Sequence, residues 1–241
     1  MFKSVEERIP IKEIIVKQVE EAILSRKFLP GDKLPTESEL GTQFGVSRTS
    51  VREAIQILSA RGLISVEKGR GIFVNKITSK SVVDPLKKFL QLKLDKDSVL
   101  NLTHARQIIE PAIVREAAKN RTMEDIEILT NDIKDLESCV GDYEELAALD
   151  MRFHLNIAKA THNIIIPLII QPIHSLLPKI KPIIFATVED SKVVAIIWHK
   201  KILDAIINQD EETAFNEMVE HLKLAELHSK KVLEIAKTLN K

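Results

Sequence analysis

The chain has 241 residues, 35 Lys+Arg against 35 Asp+Glu, and one cysteine. That length admits one or two domains, and the lone Cys139 excludes an internal disulfide and suits a reducing, cytoplasmic setting. The zero net charge excludes a uniformly basic protein, but the charge is uneven: residues 1–76 carry 13 Lys+Arg against 10 Asp+Glu, net +3, and the remainder 22 against 25, net −3.

In chain order, Pro10 stands at the start of an expected helix over Ile11–Ser25, with Ile11, Ile15, Val19, Ala22 and Ile23 on one face. Thr36 and Glu39 form a capping box, and Leu40 and Phe44 share the buried face of the short helix that follows. Gly45 allows the left-handed turn, Val46 is a candidate core plug, and Ser47 caps a second helix in which Val51, Ala54, Ile55 and Leu58 keep helical spacing up to Gly62. Arg48, Thr49 and Arg52 project together from the first turns of that helix. An arginine fork pairs with the O6/N7 edge of guanine, and Ser47, Thr49 and Ser50 suit phosphate oxygens at a helix N-terminus. A solvated basic face on a helical hairpin would show the same residues.

Leu63 to Val74 reads as a two-stranded hairpin, with Ile64 and Val66 alternating on one strand and Ile72 and Val74 on the other. Lys68, Gly69 and Arg70 form its tip, where basic side chains reach phosphate or the minor groove. A basic hairpin after a recognition helix is a wing, so residues 1–76 form a winged helix-turn-helix domain. The run LPGDKLPTESELGTQFGVSRTSVREAIQILSARGLISVEKGRGIFV, residues 29–74, resembles the GntR family of bacterial transcription regulators. The resemblance implies that Arg48 and Arg52 read an operator, with Thr49, Ser50 and Gly69 near the backbone. Thr36, Glu37, Ser47, Lys68 and Arg70 complete the candidate DNA-contacting set. Members often carry arginine where this chain has Ser38, which implies a different operator.

Residues 77–97 read as a semi-rigid linker, with Leu86, Phe89, Leu90 and Leu92 in a short helix packed on the second domain. From Ser98 to the end, Gly141 is the only glycine and no strand pattern survives. Helices are expected near 98–119, 122–138, 142–160, 164–179, 189–208 and 210–238, with prolines at 167, 172, 178 and 182 disturbing the middle of the set. The fold class is therefore mainly α: the winged helix-turn-helix followed, over residues 98–241, by an antiparallel helical bundle large enough for a cavity. The apolar run at 164–170 is too short to span a bilayer and contains Pro167, and the chain shows no signal peptide, so no membrane partner is expected.

Asp150 and His154 form Asp-x-x-x-His on one helical face, and His199 and His221 flank a turn near Asn208–Asp210 at matching distances. Three imidazoles and a carboxylate suit zinc, nickel or a similar divalent ion. Scattered helical histidines also serve as caps, surface residues or core residues, so spacing alone does not decide. The segment resembles the FCD ligand-binding domain that follows a GntR winged helix in the FadR subfamily. The matching residues are Arg106 and Glu110, Asp150 and His154, His199, and His221. The resemblance implies a divalent metal on Asp150, His154, His199 and His221, a small organic acid as effector, and about seven helices. It implies that Arg106 clamps the acid's carboxylate, the alternative being an ion pair with Glu110. Arg152 and Asn163 are further effector candidates, whereas His104, His162, His174 and His228 read as surface or helix-end residues, and Cys139 as a packing or surface residue.

The expected protein is a homodimeric, cytoplasmic repressor whose recognition helices occupy adjacent major grooves of an inverted-repeat, double-stranded operator. Its weakly basic domain gains affinity by pairing, since two copies neutralise more phosphates. A regulator for which the metal itself is the signal would use the same four ligands. A metalloenzyme is the poorest fit, because no spare carboxylate accompanies the histidines in the manner of His-Glu-x-x-His.

Overall fold

A computed structural model describes residues 9–76, 78–93, 98–177 and 180–239. The chain divides into two compact units, Met1–Ser81 and Val82–Lys241.

The first unit runs α1 (Ile11–Leu24), β1 (Lys33–Leu34), α2 (Glu37–Phe44), α3 (Arg48–Ala60), β2 (Ile64–Glu67) and β3 (Gly71–Val74). Ile15, Val16 and Val19 of α1 and Val51, Ala54, Ile55 and Leu58 of α3 close over Leu40 and the strand residues Ile64, Ile72 and Val74. Each large aliphatic side chain buried this way contributes roughly 1.5–3 kcal/mol. The capping box at Thr36 and Glu39 is complete, and Gly45 ends α2 at φ 65, the left-handed region that glycine enters without Cβ strain. Val46 packs partly buried against the same core.

The sheet corrects the two-stranded expectation. Its order is β1-β3-β2, because Lys33 and Leu34 pair with Phe73 and Ile72. Two residues are too few to show alternation in sequence. Ile11 and Val66 stay exposed, at 51% and 56%, and do not join the core face assigned to them. Val16 takes the inner position on α1, since the burying stripe of a helix is wider than one i, i+4 row.

Helix α4 (Ser79–Lys93) begins at the end of the first unit, and the second unit continues with α5 (Ser98–Asn120), α6 (Met123–Ser138), α7 (Tyr143–Ala160), α8 (Ile165–His174), α9 (Lys181–Thr187), α10 (Ser191–Ile207) and α11 (Glu211–Leu239). Thr122 with Asp125 makes a second capping box, opening α6, and Asp142 caps α7 through the Glu145 amide at 2.9 Å. The principal core joins Ile113, Val114 and Ala117 of α5, Leu129 and Ile133 of α6, Phe153 and Ile157 of α7, Ile202 and Ile206 of α10, and Met218 and Leu222 of α11. Small residues such as Ala117, Ala118, Ala158 and Ala205 let these helices approach closely.

Two expectations fail here. The helix expected over 164–179 ends at His174, and a separate short helix, α9, opens at Lys181 with Pro182 in its first turn. Proline there is tolerated because the amide it lacks has no intrahelical partner. In α4 only Leu90 of the expected packing set joins a core cluster, beside Leu102, Leu176 and Leu177, while Leu86, Phe89 and Leu92 remain exposed. Leu92 lies about 200° around the helix from Leu90 and cannot share its face. Among the described residues no helix is long and apolar enough to cross a membrane.

Candidate DNA interface and candidate metal centre

The first unit presents its basic residues at the start of α3. Ser47 caps that helix by accepting from the Ser50 amide at 3.2 Å, which leaves the side chains of Arg48, Thr49 and Arg52 exposed. Arg48 Nη2 donates to Ser38 Oγ at 2.8 Å, and Arg52 donates through Nε and Nη2 to Glu37 Oε2 at 3.2 and 3.0 Å. Thus Glu37 and Ser38 on α2 orient both arginines. These contacts are exposed, so each holds a rotamer at little energetic gain. Thr36 is engaged in the cap, where its hydroxyl lies 2.8 Å from Glu39 Oε2. Lys68, Gly69 and Arg70 form the exposed β2–β3 turn, with Gly69 at φ 78. Arg70 pairs with Glu67 and lies over the Phe73 ring.

The second unit buries its polar residues. Asp150, His154, His199 and His221 are 0%, 3%, 0% and 4% exposed, contributed by α7, α10 and α11. His154, His199 and His221 each offer a ring nitrogen within 4.8 Å of the other two. The Nε2 atoms of His154 and His221 stand 3.3 Å apart, close to the roughly 3.3–3.4 Å edge spanned by two nitrogens on one tetrahedral zinc. Asp150 Oδ1 is 3.6 Å from His199 Nε2. Both Asp150 oxygens and both His199 nitrogens lack an aligned hydrogen-bond partner. Asp150 Oδ2 has the Lys181 ammonium at 2.7 Å, whereas Asp150 Oδ1 and the His199 nitrogens are buried without a partner, which is costly, and a divalent cation would satisfy those that face the cluster. The three histidines fit such an ion; Asp150 lies outside that set, close to His199 alone among them and engaged by Lys181.

Glu110 on α5 lies behind this cluster. Its Oε1 accepts from Arg106 Nε at 2.5 Å and lies 2.8 Å from His174 Nε2; its Oε2 lies 2.6 Å from His154 Nδ1, though off the N–H axis. A small ring rotation would complete that last bond and fix the His154 tautomer with Nε2 facing the cluster. Metal-binding histidines commonly have such a carboxylate behind them. Arg106 Nη2 in turn reaches His154 Nε2 at 3.5 Å. The ion pair with Glu110 is therefore real, and it holds Arg106 against the cluster. Phe153 stacks on His199 at 4.3 Å and restricts its ring.

Electrostatics follow from this burial. Burial raises the Glu110 carboxyl, but Arg106, then His154 and His174, hold it well below the usual carboxylate range. Burial likewise opposes ionisation of Asp150, yet Lys181, then the three histidines, hold it far below that range. Desolvation pushes His199 down to about 3, with Asp150 only partly opposing it, and also lowers His154 and His221. Neutral imidazoles beside ionised carboxylates are the protonation states a metal requires.

Other assigned residues fall elsewhere. Arg152 turns to Asp132 and Asp135 at 2.6 and 2.5 Å, away from the cluster. Asn163 is exposed and caps α8 through the Ile165 amide at 2.9 Å. His104 is exposed, and His162 is exposed and pairs with Asp125 at 2.7 Å. His174 ends α8, in keeping with a helix-end residue, but is not on the surface, being 2% exposed against Glu110; half-buried His228, within α11, lines a cavity and corrects the assignment given to it. Both side chains lie on the inner stripe of their helices, which neighbouring helices cover. Sequence reasoning also missed Lys181, which is 6% exposed with Nζ 2.7 Å from Asp150 Oδ2. No local pattern flags a lysine at a helix start as buried. Cys139 is half-buried beside the core, in keeping with a packing role.

The cavity beside the cluster has a free volume of about 30 Å³ and is bounded by Arg106, Lys181, Trp198, His221, His228 and Ser229, among others. That is room for on the order of two waters.

Residues 11–74 match the family described as "Bacterial regulatory proteins, gntR family", and residues 101–224 match the "FCD domain". The chain is 31% identical to the Uxu operon transcriptional regulator of Escherichia coli (strain K12), over 85% of this chain and 81% of that one. It is 28% identical to the galactonate operon transcriptional repressor of the same organism, over 83% and 88%. Among solved structures, Streptococcus agalactiae GntR is similar at a TM-score of 0.67 and 28% identity, covering 89% of this chain and 98% of its own. An arginine-bearing helix-turn-helix with a wing, a helical unit of the FCD type and these relatives agree: the chain belongs to the gntR family of bacterial regulatory proteins and is a DNA-binding transcription regulator, not an enzyme.

Proposed function

We propose that this regulator is a cytoplasmic homodimeric repressor of the FadR subfamily, controlled by a small organic acid bound beside a divalent metal. In this reading two copies of α3 enter adjacent major grooves of an inverted repeat. Arg48 and Arg52 leave Ser38 and Glu37 for guanine edges. Ser47, Thr49 and Ser50 meet phosphate at the helix N-terminus, and Lys68, Gly69 and Arg70 follow the flanking backbone. Thr36 and Glu37 set the start of α2 and the aim of Arg52. Ser38 holds Arg48 by a hydroxyl contact where relatives of this type often carry arginine, which favours an operator preference of this chain's own. The relative that represses a galactonate operon supports repression as the direction.

Asp150, His154, His199 and His221 would hold the ion, zinc or nickel by ligand type. The single observation that carries this is the convergence of His154, His199 and His221 ring nitrogens within 4.8 Å of one another, with Asp150 Oδ1 3.6 Å from His199 Nε2 and all four residues buried. A bound ion supplies a Lewis-acidic point for a carboxylate oxygen. Arg106, kept in place by Glu110, supplies a fork for the same carboxylate. Arg152 and Asn163 have no part in this site, since each is engaged elsewhere. The cavity has about 30 Å³ of free volume and is bounded by α5, α9, α10 and α11, so in this reading an entering acid shifts those helices. That displacement gives the ligand two protein states to distinguish, which coupling to the operator demands.

The test is operator titration of four samples: protein with chelator, with zinc, with candidate acid, and with zinc plus acid. Elemental analysis of a His199→Ala/His221→Ala variant accompanies it. The reading expects metal in the wild type, none in the variant, and an operator affinity that responds to acid only with metal present. A response to zinc alone would identify the ion as the signal. Full metal retention by the variant would remove these residues from the site.

A further inference from the structure

Lys181 stands out among buried groups because its charge faces both the candidate metal centre and the cavity. Its Nζ is 2.7 Å from Asp150 Oδ2, yet that oxygen has no aligned hydrogen bond, so the pair is held by charge more than by geometry. The aliphatic stem lies beside Phe185, with the ammonium 5.3 Å from the ring centroid, and the side chain forms part of the cavity wall. Thr103, Ser191 and Ser229 also border the cavity, their hydroxyls donating to the backbone carbonyls of Val99, Ile184 and Ala225, and the rest of the wall is largely apolar.

The charge balance of this region is informative. The charged side chains in and around the centre are Arg106, Lys181, Glu110 and Asp150, all buried, and they sum to zero. The histidine ligands are neutral when they hold an ion. A divalent cation therefore leaves the closed site at +2. Uncompensated buried charge costs several kcal/mol per ion. The ion also draws on the Asp150 carboxylate, which is the partner Lys181 has here. A monocarboxylate would leave one positive charge unmatched, whereas a dianion would match both.

We infer that Lys181 is a second anion-holding group of this cavity and that the effector is a small dicarboxylate, with one carboxylate directed to the metal and Arg106 and the other to the Lys181 ammonium. This rests on the metal-and-acid reading proposed above and narrows its ligand. For the three hydroxyls to donate to the second carboxylate, each would have to give up its present backbone acceptor, so the lysine ammonium carries the recognition. An aliphatic spacer suits the apolar remainder of the wall.

The experiment is calorimetric binding to zinc-loaded, full-length protein. Malonate, succinate and glutarate are each compared with the monocarboxylate of equal carbon number: propionate, butyrate and valerate. Wild type should bind at least one diacid about tenfold or more tightly than its monoacid partner. Lys181→Met should keep its zinc, measured by elemental analysis, and its monoacid affinity, while the diacid preference falls to about threefold or less. Lys181→Arg should restore that preference. A lysine that merely supports the fold would lower all affinities together and leave the ratios unchanged. Equal binding of diacid and monoacid by wild type overturns the inference while the carboxylate reading stands. So does a diacid preference that survives Lys181→Met. If no acid of either kind binds the zinc-loaded wild type, both readings fall. The wild-type ratios decide without any variant, so a misfolded Lys181→Met protein does not shelter the inference.

Discussion

Arg48 and Arg52 stand on the surface of the first unit, each held by one neighbour on α2, whereas Arg106 in the second is 1% exposed and lies among Glu110, His154 and His174. The two settings suit different tasks. Exposed bonds to Ser38 and Glu37 can be exchanged for phosphate and base contacts at small cost, because water already competes for them. The buried cluster cannot exchange partners freely. Its side chains are packed between α5, α7, α10 and α11, and its shape changes only if helices move. The comparison teaches that the exposed arginines are adjustable residue by residue, while the buried cluster acts as one coupled unit.

The strongest way to break the comparison is to remove Arg106. Arg106→Ala leaves Glu110 buried without its main counter-charge, and we expect a loss of about 3–5 kcal/mol in denaturant unfolding. A loss under about 1 kcal/mol would show that the cluster is not coupled as described.

Acid should act next, in metal-free protein. His199 is depressed from 6.5 to about 3 and His154 and His221 are also lowered. Between pH 6.5 and 3 the unfolded chain therefore binds more protons than the folded one. The histidine contribution is complete above pH 6.5 and declines as pH falls towards 3. Asp150 and Glu110, ordinarily near 3.8 and 4.5 and lowered here, add a loss of the same sign below about pH 4.5. Thermal melts across pH 4–8 should show the midpoint dropping with acid, and added zinc should raise it most near neutral pH, where the ligands are free of protons. A melting temperature that rises on acidification would contradict the buried-neutral assignment.

The smallest expected effects belong to the surface. Arg48→Ala should leave stability unchanged and weaken operator binding by about 1–3 kcal/mol with relaxed preference at one base pair. Lys68→Ala should weaken all duplexes about equally and reduce the salt slope by about 1. Unchanged affinity and preference in Arg48→Ala would remove that side chain from base reading.

The first unit was legible locally. Thr36 with Glu39, Gly45, Ser47 and the apolar spacing of α3 are short-range features, and each sits within a few residues of the structure it sets. Capping, turn formation and helical periodicity all act over that range. The two-residue β1 escaped because a strand so short is defined by its partner and not by its own pattern. In the second unit the Asp-x-x-x-His pair on α7 was visible for the same local reason, and His199 and His221 were aligned by one short turn.

The sequence by itself determined the elements that local chemistry can specify: the winged helix-turn-helix, most helix boundaries, and which residue types could hold a metal. Tertiary packing alone decided that His174 and Lys181 are buried, that Glu110 backs both His154 and Arg106, and that Arg152 and Asn163 point elsewhere. Burial and charge pairing arise between helices distant in the chain, and no spacing within one helix encodes which neighbour will cover it.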